Sequence, residues 1–153
     1  MRSLELKIPP PVLAFVIAVL MWLLSLAAPA LSFAIPARLV FAVIFAVAGI
    51  GAAIAGVATF ARAKTTVNPT TPQASSSLVS WGIYKVTRNP MYLGLLLILA
   101  AWAFYLSNAL PFLLLPVYVV YINRFQIAPE ERALTSLFGR EFAAYQSRVR
   151  RWI

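Results

Sequence analysis

The side chains able to do chemistry in this chain are few, and they fall in two clusters. Beyond Glu5 the only carboxylates are Glu130, Glu131 and Glu141, and the first two are adjacent. The second cluster reads Gly82-Ile83-Tyr84-Lys85-Val86-Thr87-Arg88-Asn89-Pro90-Met91-Tyr92-Leu93-Gly94. There is no histidine and no cysteine. That excludes imidazole bases, thiol nucleophiles, disulfides and Cys/His zinc sites. A carboxylate pair can take up a proton, bind hydroxyl or amino groups, or balance a cation. Arg88 and Arg124 offer the planar fork that suits a ligand carboxylate. Tyr84, Tyr92 and Tyr121 can face a cation or stack on a heterocycle. Asn89 donates and accepts hydrogen bonds but does not titrate near neutral pH. Each cluster also has a purely structural reading. Acidic residues after Pro129 would stabilise a helix start by about 0.3–1 kcal/mol, and the tyrosines with Lys85 and Arg88 suit an interfacial belt.

The elements that must position these groups lie in a membrane. Of 153 residues, 62% are hydrophobic and 11% charged, against ~45–50% and ~25% in a soluble domain. The net charge of +9 is spread between apolar runs, a pattern of membrane flanks and not of a nucleic-acid groove. Residues 12–28 form a first uncharged span. It ends in Ala28-Pro29-Ala30, which resembles a secretory cleavage site, but the run is long for a signal peptide and is assigned to the membrane. Residues 39–60 form a second span of roughly 33 Å. Its Gly49-Ile50-Gly51 lacks the third glycine of a dinucleotide loop, and small residues there suit close helix packing within the monomer or across a dimer.

The segment 61–90 carries Arg62, Lys64, Lys85 and Arg88 with Pro69, Pro72 and a Ser75-Ser76-Ser77 run, and belongs outside the hydrocarbon. From 91 to 123 no residue is charged, and Ser107-Asn108 and Pro111 interrupt the run. A helical hairpin of 91–106 and 110–123 is expected, its returning arm kinked at Pro116. Pro129-Glu130-Glu131 reads as a fresh helix start, followed by an amphipathic helix with Leu134, Phe138, Phe142 and Tyr145 on one face and a tail to 153. The expected fold is therefore an all-α integral membrane protein of about four transmembrane helices and a C-terminal amphipathic helix, in one domain. Every Lys and Arg except Arg38 falls on one side of this topology. The positive-inside rule then makes both termini, 61–90 and 124–153 cytoplasmic.

Together the two clusters resemble a family. The pattern G-x-Y-x-x-x-R-N-P-M-Y-x-G over residues 82–94 is followed by Pro129-Glu130-Glu131-Arg132, Leu134, Phe138-Gly139, Glu141-Phe142, Tyr145 and Val149-Arg150-Arg151. With Thr66-Val67-Asn68-Pro69 and Leu78-Val79, it is similar to the isoprenylcysteine carboxyl methyltransferase and phospholipid methyltransferase superfamily. The resemblance covers about residues 62–153, and the first two spans match in hydrophobicity alone. Where the eukaryotic carboxyl methyltransferases have Arg-His-Pro, this chain has Arg88-Asn89-Pro90, so an imidazole base is unavailable.

What the resemblance implies is an integral membrane enzyme using S-adenosylmethionine, with product S-adenosylhomocysteine and no metal. The methyl group would pass to a lipophilic, prenylated or membrane-partitioning acceptor: an isoprenylcysteine-like carboxylate, a lipid amine or a small thiol. The cofactor pocket would draw on Tyr84, Arg88, Asn89, Pro90, Tyr92, Gly94, Tyr121, Arg124, Glu130 and Glu131, with Glu130, Glu131 and Arg88 carrying the catalytic roles. A sulfonium already carries the activation, so the protein mainly aligns nucleophile, carbon and sulfur. The reading from another class is a non-catalytic basic membrane protein that binds anionic lipid or a partner. Such a protein gains nothing from an acidic pair beside its basic face.

Overall fold

Proline opens two of the apolar helices, at the position where its missing N–H has no intrahelical partner to lose. The computed structural model describes residues 5–63 and 77–153; Thr66-Val67-Asn68-Pro69, Pro72 and Ser75-Ser76 lie outside the described residues. Helix α1 spans Pro10–Ala27, α2 Arg38–Arg62, α3 Pro90–Leu106 and α4 Ala109–Ile122. A π turn at Asn123–Ile127 joins α4 to α5, Ala128–Gln146. Short 3₁₀ turns lie at Pro29–Leu31 and Gly82–Lys85. Among the described residues there is no strand, and one isolated bridge pairs Ser32 with Asn108.

Among the described residues, three helical stretches are long and apolar enough to cross a membrane: α1, α2 and the run that begins with α4. The 17-residue α3 is a shorter apolar helix. The protein is thus an all-α membrane protein, as its composition requires. On α2, Val43, Ile44, Val47, Ile50 and Ile54 are each more than half exposed, a surface suited to hydrocarbon. Helices α1, α3 and α4 share a core around Met21, Leu99, Tyr118 and Ile122, and Trp102 Nε1 of α3 donates to the Ala18 carbonyl of α1 at 3.0 Å.

The hairpin between α3 and α4 turns at the expected Ser107-Asn108. Ser107 adopts a left-handed conformation at φ 51° and closes α3. Asn108, fully buried, accepts from Leu110 N–H to cap α4 and donates to Ala28 O at 2.8 Å and Ser32 Oγ at 3.1 Å. One amide thereby ties the hairpin to the loop after α1 and leaves neither of its ends unpaired.

Gly49 and Gly56 of α2 pack against α3 within the monomer, while Gly51 is exposed. A Cβ built on Gly94 of α3 would lie 2.6 Å from the Gly49 carbonyl oxygen, and one on Gly49 would lie 2.6 Å from the Gly94 oxygen. Backbone meets backbone here, as small-residue packing between membrane helices allows.

The expected fresh start at Pro129 is absent. The chain stays helical from Ala109 through Pro116, the π turn and Pro129 as far as Gly139, within the 38-residue run Ala109–Gln146. A proline inside a helix crowds the carbonyl four residues back and cannot bond to it. Here the wider π turn lies just before Pro129, and the Phe125 carbonyl accepts from Leu6 N–H at 3.0 Å. Glu130 and Glu131 therefore do not sit at a free helix N-terminus, and the helix-dipole explanation for them falls away. The helical geometry breaks later, at Gly139 (φ 46°, ψ −115°). Beyond that kink Phe142 and Tyr145 pack with Val79 and Tyr84, with Leu134 and Phe138 alongside, so the apolar face of α5 is used within the protein.

This packing gives a paired test. Gly94→Ala forces the α2 and α3 backbones apart and lowers stability by about 1–3 kcal/mol, whereas Gly51→Ala, with nothing within 4 Å of its added carbon, is neutral or gains up to about 1 kcal/mol of helix propensity. Thermal unfolding of both variants in detergent reads the difference.

Candidate active site at the Glu130–Glu131 pair

Three consecutive residues before α3 hold the C-terminal tail. Thr87 Oγ1 and Asn89 Nδ2 both donate to the Arg151 carbonyl, at 3.1 and 3.0 Å. Arg88 N–H donates to Arg150 O at 3.0 Å, and its guanidinium NH1 donates to Gln146 O and Val149 O at 3.1 and 2.9 Å. The tail has left the helix and needs donors for its carbonyls; this loop supplies them. Trp152 Nε1 then donates to Asn123 Oδ1 of the π turn at 3.2 Å.

The same arginine reaches into the acidic pair. Arg88 NH2 lies 2.8 Å from Glu131 Oε1, while Arg151 places Nε at 2.9 Å from Oε1 and NH2 at 2.5 Å from Oε2. Glu131 is thus held by two guanidinium groups, and its hydrogen bond raises the Arg151 pKa. Among the described residues Glu130 makes no salt bridge, and its one side-chain partner is the Tyr92 hydroxyl, which donates to Oε1; Tyr118 OH in turn donates to the Tyr92 carbonyl at 3.3 Å. Burial pushes the Glu130 carboxyl from 4.5 up to about 8; the Tyr92 hydrogen bond opposes that shift and the neighbouring Glu131 adds to it. Two adjacent residues of one type are set apart by their surroundings, one a neutralised anchor and the other a proton-holding group without a counter-charge.

The remaining expected residues fall as follows. Tyr84 is buried against Phe142 and Tyr145, and its carbonyl accepts from Tyr145 OH at 2.7 Å. Burial raises the pKa of the Tyr84 hydroxyl and pushes that of Tyr145 up to about 12, so both are neutral at physiological pH. Pro90 begins α3 and is buried. Tyr121 packs against Phe125 with ring centroids 4.7 Å apart and planes tilted by 46°. Buried side-chain atoms without a partner include Tyr84 OH, Tyr121 OH, Arg88 Nε and Gln126 Oε1. Gly94 lies in the α2–α3 contact, and Arg124 is exposed on the π turn and makes no salt bridge among the described residues. The structure brings Arg88, Tyr92, Glu130 and Glu131 together. It adds residues that sequence reasoning had not singled out for the site: Thr87, Tyr118, Asn123, Gln126, Arg151 and Trp152. Arg151 was visible in the Val149-Arg150-Arg151 motif but not as a partner of Glu131, because that role arises when the tail folds back.

Fold and site define an integral membrane protein with a half-buried pair of carboxyl groups where α3, α5 and the C-terminal tail meet. Residues 37–141 match the phospholipid methyltransferase family, PEMT, and the chain belongs to it. The match bears out the superfamily resemblance read from the two motifs. It also takes in α2, further toward the N-terminus than the motifs reach. The chain is 51% identical over 63 residues to an uncharacterised protein of Haemophilus influenzae, an alignment covering 41% of this chain and all of that one. It is 43% identical over 67 residues to methanethiol S-methyltransferase 1 of Bradyrhizobium diazoefficiens, covering 44% of this chain and 22% of that enzyme. No solved structure matches the chain. The protein is accordingly a membrane methyltransferase by family.

The raised Glu130 pKa makes stability depend on pH. The folded state keeps its Glu130 proton up to about 8 while the unfolded chain releases it near 4.5, so folding loses up to about 1.4 kcal/mol per pH unit between those values and levels off above them. Glu130→Gln removes that loss. Its melting temperature in detergent equals or falls below that of the wild type at about pH 4.5 and rises above it as pH approaches about 8; parallel curves across that range would refute the assignment.

Proposed function

We propose that this protein transfers the methyl group of S-adenosylmethionine to a lipophilic or membrane-partitioning acceptor, and that Glu130 is the residue that receives the positive charge. The observation that carries the reading is the half-buried Glu130 carboxyl, hydrogen-bonded by Tyr92 and without a salt bridge among the described residues. The polar atoms left without partners fit the same ligand. Tyr84 OH and Tyr121 OH can donate to or accept from an amino-acid and nucleoside moiety, and Arg88 Nε can donate to a carboxylate. S-adenosylmethionine supplies an already activated methyl group when bound.

The protein's own contribution is placement. Arg88 and Arg151 hold Glu131 and with it the helix turn that carries Glu130. Tyr92 fixes the Glu130 oxygen toward α3, and the apolar helices around it exclude water, which strengthens every charge interaction inside. A thiol or ammonium acceptor must shed a proton, and Glu130, once ionised beside a cation, is the carboxylate within the site that can take it. A carboxylate acceptor needs no base. The small-thiol class is the one in the name of the Bradyrhizobium relative; prenylcysteine carboxylates and lipid amines are the other acceptors to screen. The polar end of the bundle, with both termini, is assigned to the cytoplasm, so that a soluble ligand enters from water and the acceptor from the bilayer.

Calorimetry on detergent-purified protein tests this. S-adenosylmethionine and S-adenosylhomocysteine bind saturably, and Glu130→Gln and Tyr92→Phe weaken both. The preference for the sulfonium over the thioether grows from about pH 6 to about pH 9 in the wild type, as the site's carboxyl ionises, and stays flat in Glu130→Gln. A folded, lipid-supplemented sample that binds neither compound would overturn the reading in favour of a lipid-binding role.

A further inference from the structure

Gln126 is fully buried in the π turn, and only one end of its amide is satisfied. Its Nε2 donates to the Ile8 carbonyl at 2.7 Å, while its Oε1 is buried and has no partner among the described residues. A carbonyl can only accept, so Ile8 fixes which way the amide faces and leaves the oxygen on the other side. Interiors nearly always pair such an oxygen. Further bonds of the N-terminal segment reinforce the arrangement: Leu6 N–H meets Phe125 O, and Glu5 pairs with Arg132.

The position of Gln126 follows from the helix register. Tyr118, Ile122, Gln126 and Glu130 recur every fourth residue, and the π turn, which needs more residues per turn than an α-helix, keeps that interval on one face. Tyr92 of α3 touches both ends of the row, accepting from Tyr118 OH through its carbonyl and donating its hydroxyl to Glu130. Gln126 lies between those two contacts, one turn from Glu130.

We propose that Gln126 is a further binding residue of the Glu130–Tyr92 site, its Oε1 accepting an N–H of the bound ligand. The inference rests on the reading that this site takes S-adenosylmethionine, whose N–H donors are the α-ammonium and the adenine amino group. The N-terminal segment then has a role at the site, because the Ile8 carbonyl sets the polarity of the amide.

Two variants separate binding from scaffolding. Gln126→Met and Gln126→Glu both lose the Nε2 bond to Ile8, but only the glutamate keeps an acceptor. The expected result by calorimetry with S-adenosylhomocysteine is a loss of about ten- to a hundredfold in Gln126→Met and near wild-type affinity in Gln126→Glu. Equal affinities in the two variants, whether retained or lost, would overturn the proposal, since a purely structural amide makes them alike. 5′-Methylthioadenosine, which keeps the adenine and lacks the amino acid, assigns the donor: if its affinity also falls in Gln126→Met the donor is the adenine amino group, and if it does not the donor is the ammonium. Should Gln126→Met fail to fold, wild-type protein labelled at the glutamine side-chain carbonyl carbon gives the answer by NMR, through a shift of the Gln126 resonance on adding S-adenosylhomocysteine. No shift would overturn the proposal. Wild-type protein that binds no S-adenosylhomocysteine would instead remove the reading on which the proposal stands.

Discussion

Two guanidinium groups on one carboxylate organise the polar end of this protein. Arg88 comes from the turn before α3, Glu131 from α5 and Arg151 from the tail, so a single charge cluster joins three segments far apart in sequence. Arg88 and Glu131 have side chains only 12% and 15% exposed. Withdrawing Glu131 leaves the Arg88 guanidinium without its counter-charge, whereas withdrawing Arg88 leaves Arg151 to pair Glu131 and costs less than the ~3–5 kcal/mol of an isolated buried pair. The same guanidinium uses its other arm on the Gln146 and Val149 carbonyls, which is what brings Arg151 back to complete the cluster. The clamp also has a consequence for its neighbour: with both arginines spent on Glu131, none is left for Glu130.

The opposite end of the bundle meets the same need with neutral groups. Asn108 there takes up a helix N–H, a loop carbonyl and a serine hydroxyl. In a low-dielectric setting, neutral hydrogen bonds that are all made avoid the desolvation that ions incur. Charge is therefore concentrated at the end that holds the tail, and this is an argument for placing the chemistry there and not at the hairpin turn.

The spans were legible because the bilayer imposes a length and an absence of charge that composition alone reveals. The boundaries expected at 12, 39, 91 and 110 fall within two residues of the observed starts Pro10, Arg38, Pro90 and Ala109. The helix start at Pro129 misled for a physical reason. Proline usually ends or begins a helix, yet here the freed Phe125 carbonyl finds Leu6, more than a hundred residues away in sequence, and no local pattern encodes that partner. Gly94 sits in the motif and serves the contact with Gly49, which spacing alone does not separate from a ligand contact. Arg124 offered a fork on paper, but the π turn carries it to the surface. Arg151 and Gln126 were hidden by the opposite effect, since their surroundings exist only once both chain ends have folded over the π turn.

Both chain ends converging on one irregular turn is itself informative. The N-terminal segment bonds to Phe125 and Gln126, and the tail bonds to Asn123 through Trp152. A π turn leaves backbone and side-chain groups out of helical register, and such turns cluster at functional sites. In a water-soluble enzyme a separate domain could supply the polar groups for a ligand site. Charged residues are only 11% here; the segment 5–8 and Trp152 bond to the turn, and Glu130 and the Gln126 oxygen keep less than their full complement among the described residues. The centre is polar where a bundle of this composition would otherwise close as hydrocarbon, and that contrast, held in place by the Glu131 clamp, is the physical basis for assigning function to it.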